Sequence, residues 1–170
     1  ADSNQMRKFR LILVFSFITG VLFSQQTITG VLYSDNKPVS VTIKDGKISA
    51  IKRIKKLSRG SGNLYIAPGL IDNQVNGFSG VSFTFGGGEL TPDGVKKATK
   101  ALWETGVTTY LPTLTTNSKD LLKNNFAVLA QVKDDPALLG SIPGFHLEGP
   151  FISPVDGFRG AHPLRFVRKP

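Results

Sequence analysis

Cysteine is absent from this 170-residue chain. That excludes disulfide staples, thiolate metal sites and a cysteine nucleophile. Histidine is scarce, with two residues, whereas a catalytic zinc ion usually takes three protein ligands, commonly rich in histidine. The chain therefore holds little material from which to complete such a centre alone. A G-x-G-x-x-G fingerprint is also missing. Gly86-Gly87-Gly88 has no strand feeding it and no lysine after it in P-loop register, so it reads as a loop rather than a phosphate cradle. The apolar run from Leu11 to Phe23 is broken by Ser16, Thr19 and Gly20. It falls short of the roughly 20 apolar residues that a comfortable transmembrane helix needs.

Hydrophobic residues make up 40% of the chain and charged residues 19%, a globular balance that excludes a disordered or collagen-like chain. The net charge of +9 is partly local. Arg7, Lys8 and Arg10 precede the apolar run, and Ser24-Gln25 makes a small polar exit. Residues 1–24 are expected to be a secretory signal peptide, with Met6 as the start and residues 1–5 upstream of it. A buried core helix and a membrane anchor are the alternatives. With the signal removed, the protein is expected in the periplasm or outside the cell; without one it would be cytoplasmic. A second basic knot, Lys52-Arg53-Ile54-Lys55-Lys56 with Arg59, has no interleaved aromatics. It is expected to be a solvated strand end and loop, and nucleic acid is not an expected partner.

Beyond residue 25 the pattern is β-rich. Val39, Val41 and Ile43 alternate with polar residues, and Asp45-Gly46 follows. That predicts a hairpin with a type I′ turn and a return strand over 47–51. Residues 27–33 supply a further strand. Residues 58–63 are a polar link, and the pattern then changes. Residues 64–71 form a strand-like apolar run broken by Pro68-Gly69. Thr91-Pro92 supplies an N-cap and an N1 proline. Val95, Ala98, Ala101 and Leu102 recur at helical spacing up to Gly106. Residues 107–114 read as a buried strand. Ser118 caps a second helix carried by Leu122, Phe126 and Leu129, ended before Pro136. Residues 142–147 are predicted as a third strand. The order β-α-β-α-β calls for parallel strands with helices outside, in a doubly wound sheet or a (β/α)8 barrel.

Two strand ends carry the polar groups of interest. Gln74 and Asn76 are two residues apart, so on a strand they share a face. His146 and Glu148 do the same. Both pairs lie at the C-terminal ends of their strands, where barrel active sites assemble. An inward glutamate there must be paired, protonated or bound to a metal, because an unpaired buried carboxylate is costly.

Residues 67–77, Ala-Pro-Gly-Leu-Ile-Asp-Asn-Gln-Val-Asn-Gly, resemble the first-strand motif of the amidohydrolase superfamily, in which Asp-x-His-x-His is usual. The Gln-x-Asn variant resembles the N-acetylglucosamine-6-phosphate deacetylase branch, some members of which use a single metal. Residues 106–114 and 144–150, then Gly160-Ala161-His162-Pro163, fit the same family in the same order. The resemblance spans roughly residues 27–168. It implies a fold: part of a small β-sandwich at 25–63, then the first three β/α units of an incomplete TIM barrel at 64–170. It also implies roles. Glu148 is the carboxylate metal ligand, for zinc foremost, with iron or manganese as alternatives. Ala161 and His162 contact the sugar. Gln74 and Asn76 stand where relatives carry metal-binding histidines. His146 is expected to support the site from behind or to belong to the core. One divalent cation would supply both a nucleophilic water and an electrophile for the acetamide carbonyl.

The same resemblance places two further histidine ligands, another substrate histidine and a catalytic aspartate on later strands, beyond residue 170. A barrel takes about 250 residues. The chain is therefore expected to be the N-terminal part of a longer, often dimeric enzyme, and to be inactive alone. The implied reaction is hydrolysis of N-acetylglucosamine-6-phosphate, or of an unphosphorylated N-acetyl amino sugar if the protein is exported. The alternatives are another amidohydrolase, of D-aminoacylase or cyclic-amide type, or a non-catalytic sugar-binding barrel module. An export-anchored structural protein is a further one.

Overall fold

The computed structural model describes residues 25–57, 64–84 and 90–169. The signal-peptide reading of residues 1–24, the link at 58–63 and the glycine run at 86–88 lie outside the described residues. The chain divides into two compact units between Ala67 and Pro68.

The first unit is a four-stranded sheet. It comprises β1 (Gln26–Leu32), β2 (Lys37–Lys44), β3 (Lys47–Arg53) and β4 (Tyr65–Ile66), in the order β3-β2-β1-β4. The first three strands form an antiparallel meander, and β4 joins β1 in parallel. At the β2–β3 turn Asp45 has φ 52° and Gly46 φ 71°, the paired positive values of a type I′ turn. Alternation along β2 buries Val39 and Val41. Gly30 lets the strands close up: a Cβ there would lie 2.7 Å from the Leu64 carbonyl oxygen and 2.9 Å from Ile66 Cγ1. Asp35 in the β1–β2 turn accepts from the Lys37 backbone N–H at 3.1 Å and pairs with the Arg53 guanidinium. The Arg53 hydrogen bond is the main reason the Asp35 pKa lies below its ordinary value.

Among the described residues the region expected as part of a sandwich is this one sheet. Its fourth strand also moves the expected boundary at 63/64. Residues 64–67 belong to the first unit, because the apolar run is cut at Pro68-Gly69, where a helix or ladder loses a donor.

The second unit alternates strand and helix. Strands β5 (Leu70–Val75), β8 (Val107–Thr115) and β9 (His146–Glu148) form a parallel sheet in the order β5-β8-β9. Between β5 and β8 come a short antiparallel pair, β6 (Gly77–Phe78) and β7 (Val81–Ser82), and helix α1 (Pro92–Glu104). Helix α2 (Lys119–Lys133) joins β8 to β9. Thr91 caps α1 by accepting from the Gly94 N–H at 3.1 Å, and Ser118 caps α2 by accepting from the Leu121 N–H at 3.3 Å. The apolar stripe of α1 (Val95, Ala98, Leu102) and that of α2 (Leu122, Leu129, Val132) are buried in one core with Phe83, Tyr110 and Leu114. Full burial of each large aliphatic side chain contributes about 1.5–3 kcal/mol. The Tyr110 hydroxyl is satisfied by Thr99 Oγ1 at 2.8 Å, and burial raises its pKa.

The third strand is shorter than expected. Regular pairing begins only at His146, not at Ile142. Pro143 has no N–H to offer the ladder, so residues 142–145 approach β8 irregularly. Ile142 is still buried, and the Ser141 carbonyl accepts from the Tyr110 N–H at 2.9 Å.

Candidate active site

The C-terminal ends of the three parallel strands and the segment after β9 surround one open cavity of about 280 Å³, lined by Gln74, Asn76, Thr115, Glu148, Ala161, His162 and Pro163. Each wall follows from local chain geometry. Asp72 Oδ1 accepts from the Gln74 N–H at 2.9 Å, an Asx-type turn that bends the chain as β5 ends. Gln74 Nε2 then donates to Glu148 Oε2 at 2.9 Å. Glu148 is brought there by register, because it is the partner of Thr115 across β8 and β9.

After Glu148 the chain turns through Gly149, whose φ is 84°. A Cβ at this position would overlap Thr116 Oγ1, and it would also lie 3.3 Å from Thr116 Cβ and 3.7 Å from His162 Nδ1. Thr116, which is fully buried, is thus the post on which the site is hung. Its hydroxyl donates to the Glu148 carbonyl oxygen at 3.3 Å and lies 2.9 Å from His162 Nδ1. The other ring nitrogen, Nε2, stands 3.4 Å from Glu148 Oε1. Arg159 ties down the loop that carries His162, donating to the His162 carbonyl at 2.7 Å and to Asp156 Oδ1 at 2.8 Å.

The expected site residues Gln74, Asn76, Glu148, Ala161 and His162 therefore meet around one cavity. His146 is not among its lining residues. It is half-buried, two residues before Glu148 on β9, with Nδ1 3.4 Å from Thr113 Oγ1. Thr115 and Thr116 were not anticipated. Their signal is the threonine tract that continues past Leu114, the end of the strand expected from the sequence. Thr115 is held by its backbone, with its N–H donating to Thr84 Oγ1 at 2.8 Å. Its own hydroxyl is buried and has no hydrogen-bond partner among the described residues.

The wall offers one carboxylate, two primary amides and an imidazole, a set suited to a ligand rich in hydroxyl and amide groups. As a metal centre it is partial. Among the described residues no group of three or more His, Cys, Asp or Glu side chains is placed to hold an ion. Glu148 is an oxygen donor with a neighbouring imidazole, and further ligands would be needed to close a coordination sphere. No helix among the described residues is long and apolar enough to cross a membrane.

No family model matches the chain. Among curated proteins it is 40% identical over 106 residues to the N-acetylglucosamine-6-phosphate deacetylase of Danio rerio, covering 62% of this chain and 25% of that protein. It is 36% identical over 120 residues to the enzyme of the same name from Mus musculus and 35% identical over 120 residues to that from Homo sapiens, each match covering 69% of this chain and 28% of the relative. The chain thus spans about a quarter of the length of these relatives. Two solved structures share its fold. One is N-acetylglucosamine-6-phosphate deacetylase from Pasteurella multocida, with TM-score 0.61 and 23% identity, covering 85% of this chain and 39% of that one. The other is the Thermotoga maritima protein of that name, with TM-score 0.66 and 24% identity, covering 85% and 37%. In sequence the chain is similar to N-acetylglucosamine-6-phosphate deacetylases over part of their length, and in fold it is similar to part of the two solved ones.

Proposed function

We propose that this chain is part of a hydrolase that removes the acetyl group of N-acetylglucosamine-6-phosphate or a related N-acetyl amino sugar. Water adds to the acetamide carbonyl, the C–N bond breaks, and acetate and the amino sugar leave. The observation that carries the proposal is the convergence of Gln74, Asn76, Glu148, Ala161 and His162 on one cavity. The named relatives supply the reaction class.

In this proposal Glu148 gives one oxygen ligand to a single divalent cation, with zinc preferred over iron or manganese. The remaining ligands and the catalytic aspartate would come from the part of the relatives that this chain does not match. When bound, such an ion would polarise the amide carbonyl and make water a better nucleophile. The residues of this chain have their own tasks. Gln74 restrains one Glu148 oxygen at 2.9 Å, which leaves the other free to act. Asn76 and the Ala161–Pro163 turn shape the sugar pocket, and His162 presents a ring nitrogen to it. By the same reasoning the 170 residues alone would be inactive, and the whole protein would be an (β/α)8 enzyme with a small β-sandwich, dimeric in solution.

A second substrate reading has support of its own. Among the described residues that line the cavity there is no lysine or arginine, the side chains that most strongly mark a phosphate site. An unphosphorylated N-acetyl amino sugar would be the substrate in that case. Acetate release by the full-length protein from N-acetylglucosamine, from its 6-phosphate and from an N-acetyl-D-amino acid separates the readings. Turnover confined to the acyl-amino acid would overturn the amino-sugar proposal.

A further inference from the structure

We infer that the second unit carries a further binding site, for an uncharged ligand the size of one sugar ring, at the end of β8 away from Glu148. A cavity of about 280 Å³ opens there, lined by Trp103, Thr108, Thr109, Leu139, Gly140 and Ser141. Thr108 and Thr109 directly follow Val107, where β8 begins. Thr115, on the wall of the other cavity, stands six residues further along the strand, a span of about 20 Å. The two linings share no residue.

The walls are fixed by the fold. Trp103 is the penultimate residue of α1, and its indole N–H donates to Ser141 Oγ at 2.9 Å. An indole nitrogen can only donate, so Ser141 is the acceptor and its own hydroxyl hydrogen is left over. Ser141 is 3% exposed, and that hydrogen has no acceptor among the described residues. A buried donor without an acceptor is costly, and the cavity beside it is where an acceptor can enter. The Ser141 carbonyl accepts from the Tyr110 N–H at 2.9 Å, which holds the residue against β8. The Leu139-Gly140 turn forms the rim. Leu139 has φ 51° and is nevertheless 82% exposed, in a region of backbone space that favours glycine or asparagine. An apolar side chain held in that conformation on a cavity rim is a contact surface for what enters.

The lining sets the chemistry of the ligand. Trp103 and Leu139 supply apolar surface, and Thr108, Thr109 and Ser141 supply hydroxyls. No lysine, arginine, aspartate or glutamate is among the described lining residues, so a phosphate, a carboxylate or a metal ion gains no charged partner. A sugar ring matches both sets, with C–H faces for the aromatic and aliphatic surface and hydroxyls for the polar edge. The volume lies at the small end of ligand pockets, which run to about 300–1,000 Å³, and suits a single ring. Nothing in this site rests on the deacetylase proposal.

The probe is glucose, which carries neither an acetamide nor a phosphate. The full-length protein is labelled with 5-fluorotryptophan, and the Trp103 fluorine resonance is identified by its loss in Trp103→Phe. Glucose should shift that resonance saturably, with a dissociation constant of about 1–10 mM for so small a ligand. Inorganic phosphate should leave it unmoved. Leu139→Gly removes the apolar rim and relieves the backbone, so the variant should fold and bind about tenfold more weakly. Thr109→Val keeps the side-chain shape, removes one hydroxyl and should also weaken binding. A resonance that glucose does not move, or that phosphate moves as readily, would overturn the inference. Undiminished affinity in folded Leu139→Gly and Thr109→Val proteins would overturn it as well. The titration reads no turnover, so a protein that binds glucose here and releases no acetate from any amino sugar would refute the deacetylase proposal alone.

Discussion

Gly149→Ala strikes the joint between fold and site. Gly149 has φ 84°, and an L-residue in the left-handed region costs about 1–2 kcal/mol. The new methyl group would also overlap Thr116 Oγ1. Thr116 is fully buried, so its side chain must rotate and give up two hydrogen bonds, at about 1 kcal/mol each. The sum is about 3–4 kcal/mol, a large share of the 5–15 kcal/mol that holds a typical domain. Urea denaturation of the full-length protein should show the midpoint falling with little change in slope. A double-mutant cycle isolates the steric part. Thr116→Ala alone should cost about 2 kcal/mol for its two hydrogen bonds. In the double variant the methyl group no longer meets a hydroxyl, so its cost should fall short of the summed single costs by about 1–2 kcal/mol. Additive costs, or a Gly149→Ala loss below about 1 kcal/mol, would refute the claim that Thr116 packs against Gly149.

Thr115→Val should raise thermal stability, because it replaces a buried hydroxyl without a partner among the described residues, a defect worth about 1–3 kcal/mol; a lower melting temperature would contradict this. Tyr110→Phe should lower stability by about 0.5–1.5 kcal/mol through loss of the one Tyr110–Thr99 hydrogen bond, since Thr99 Oγ1 keeps the Val95 carbonyl at 2.8 Å, as read by denaturant midpoints. Asp135 accepts from the Ala137 N–H at 2.8 Å and pairs with Lys96 at 2.7 Å, and the Lys96 hydrogen bond is the main cause of its lowered pKa. Its contribution is therefore present above the unfolded carboxylate pKa and is lost as pH falls through the lower folded value. Asp135→Asn should flatten the acid limb of the stability curve, and an unchanged acid limb would show that the pair contributes nothing.

Local chemistry made much of this molecule readable from its residues. Thr91-Pro92 and Ser118 start their helices where capping physics puts them, and Asp45-Gly46 forms the expected turn. Two-residue alternation at a strand end placed Gln74, Asn76 and Glu148 at one cavity. What escaped depends on tertiary pairing. Tyr65–Ile66 joins β1 through a close approach that only Gly30 permits, which no local pattern announces. Pro143 cuts the third strand back to His146–Glu148. The roles of Thr115 and Thr116 require knowing that β8 runs on to lie against β9 and that Gly149 turns the chain back over them. A threonine tract in a strand is otherwise an ordinary sign of β-structure.

If Glu148 sits in the working site of an amino-sugar deacetylase, both turnover and metal binding depend on its carboxylate. Acetate released from N-acetylglucosamine-6-phosphate and from N-acetylglucosamine by the full-length protein, wild type and Glu148→Ala, tests it most directly, with bound metal measured in both. The expected result is turnover of at least one sugar by the wild type and, in a folded Glu148→Ala protein, loss of that turnover together with loss of the metal. Full metal content and undiminished acetate release in Glu148→Ala would contradict it.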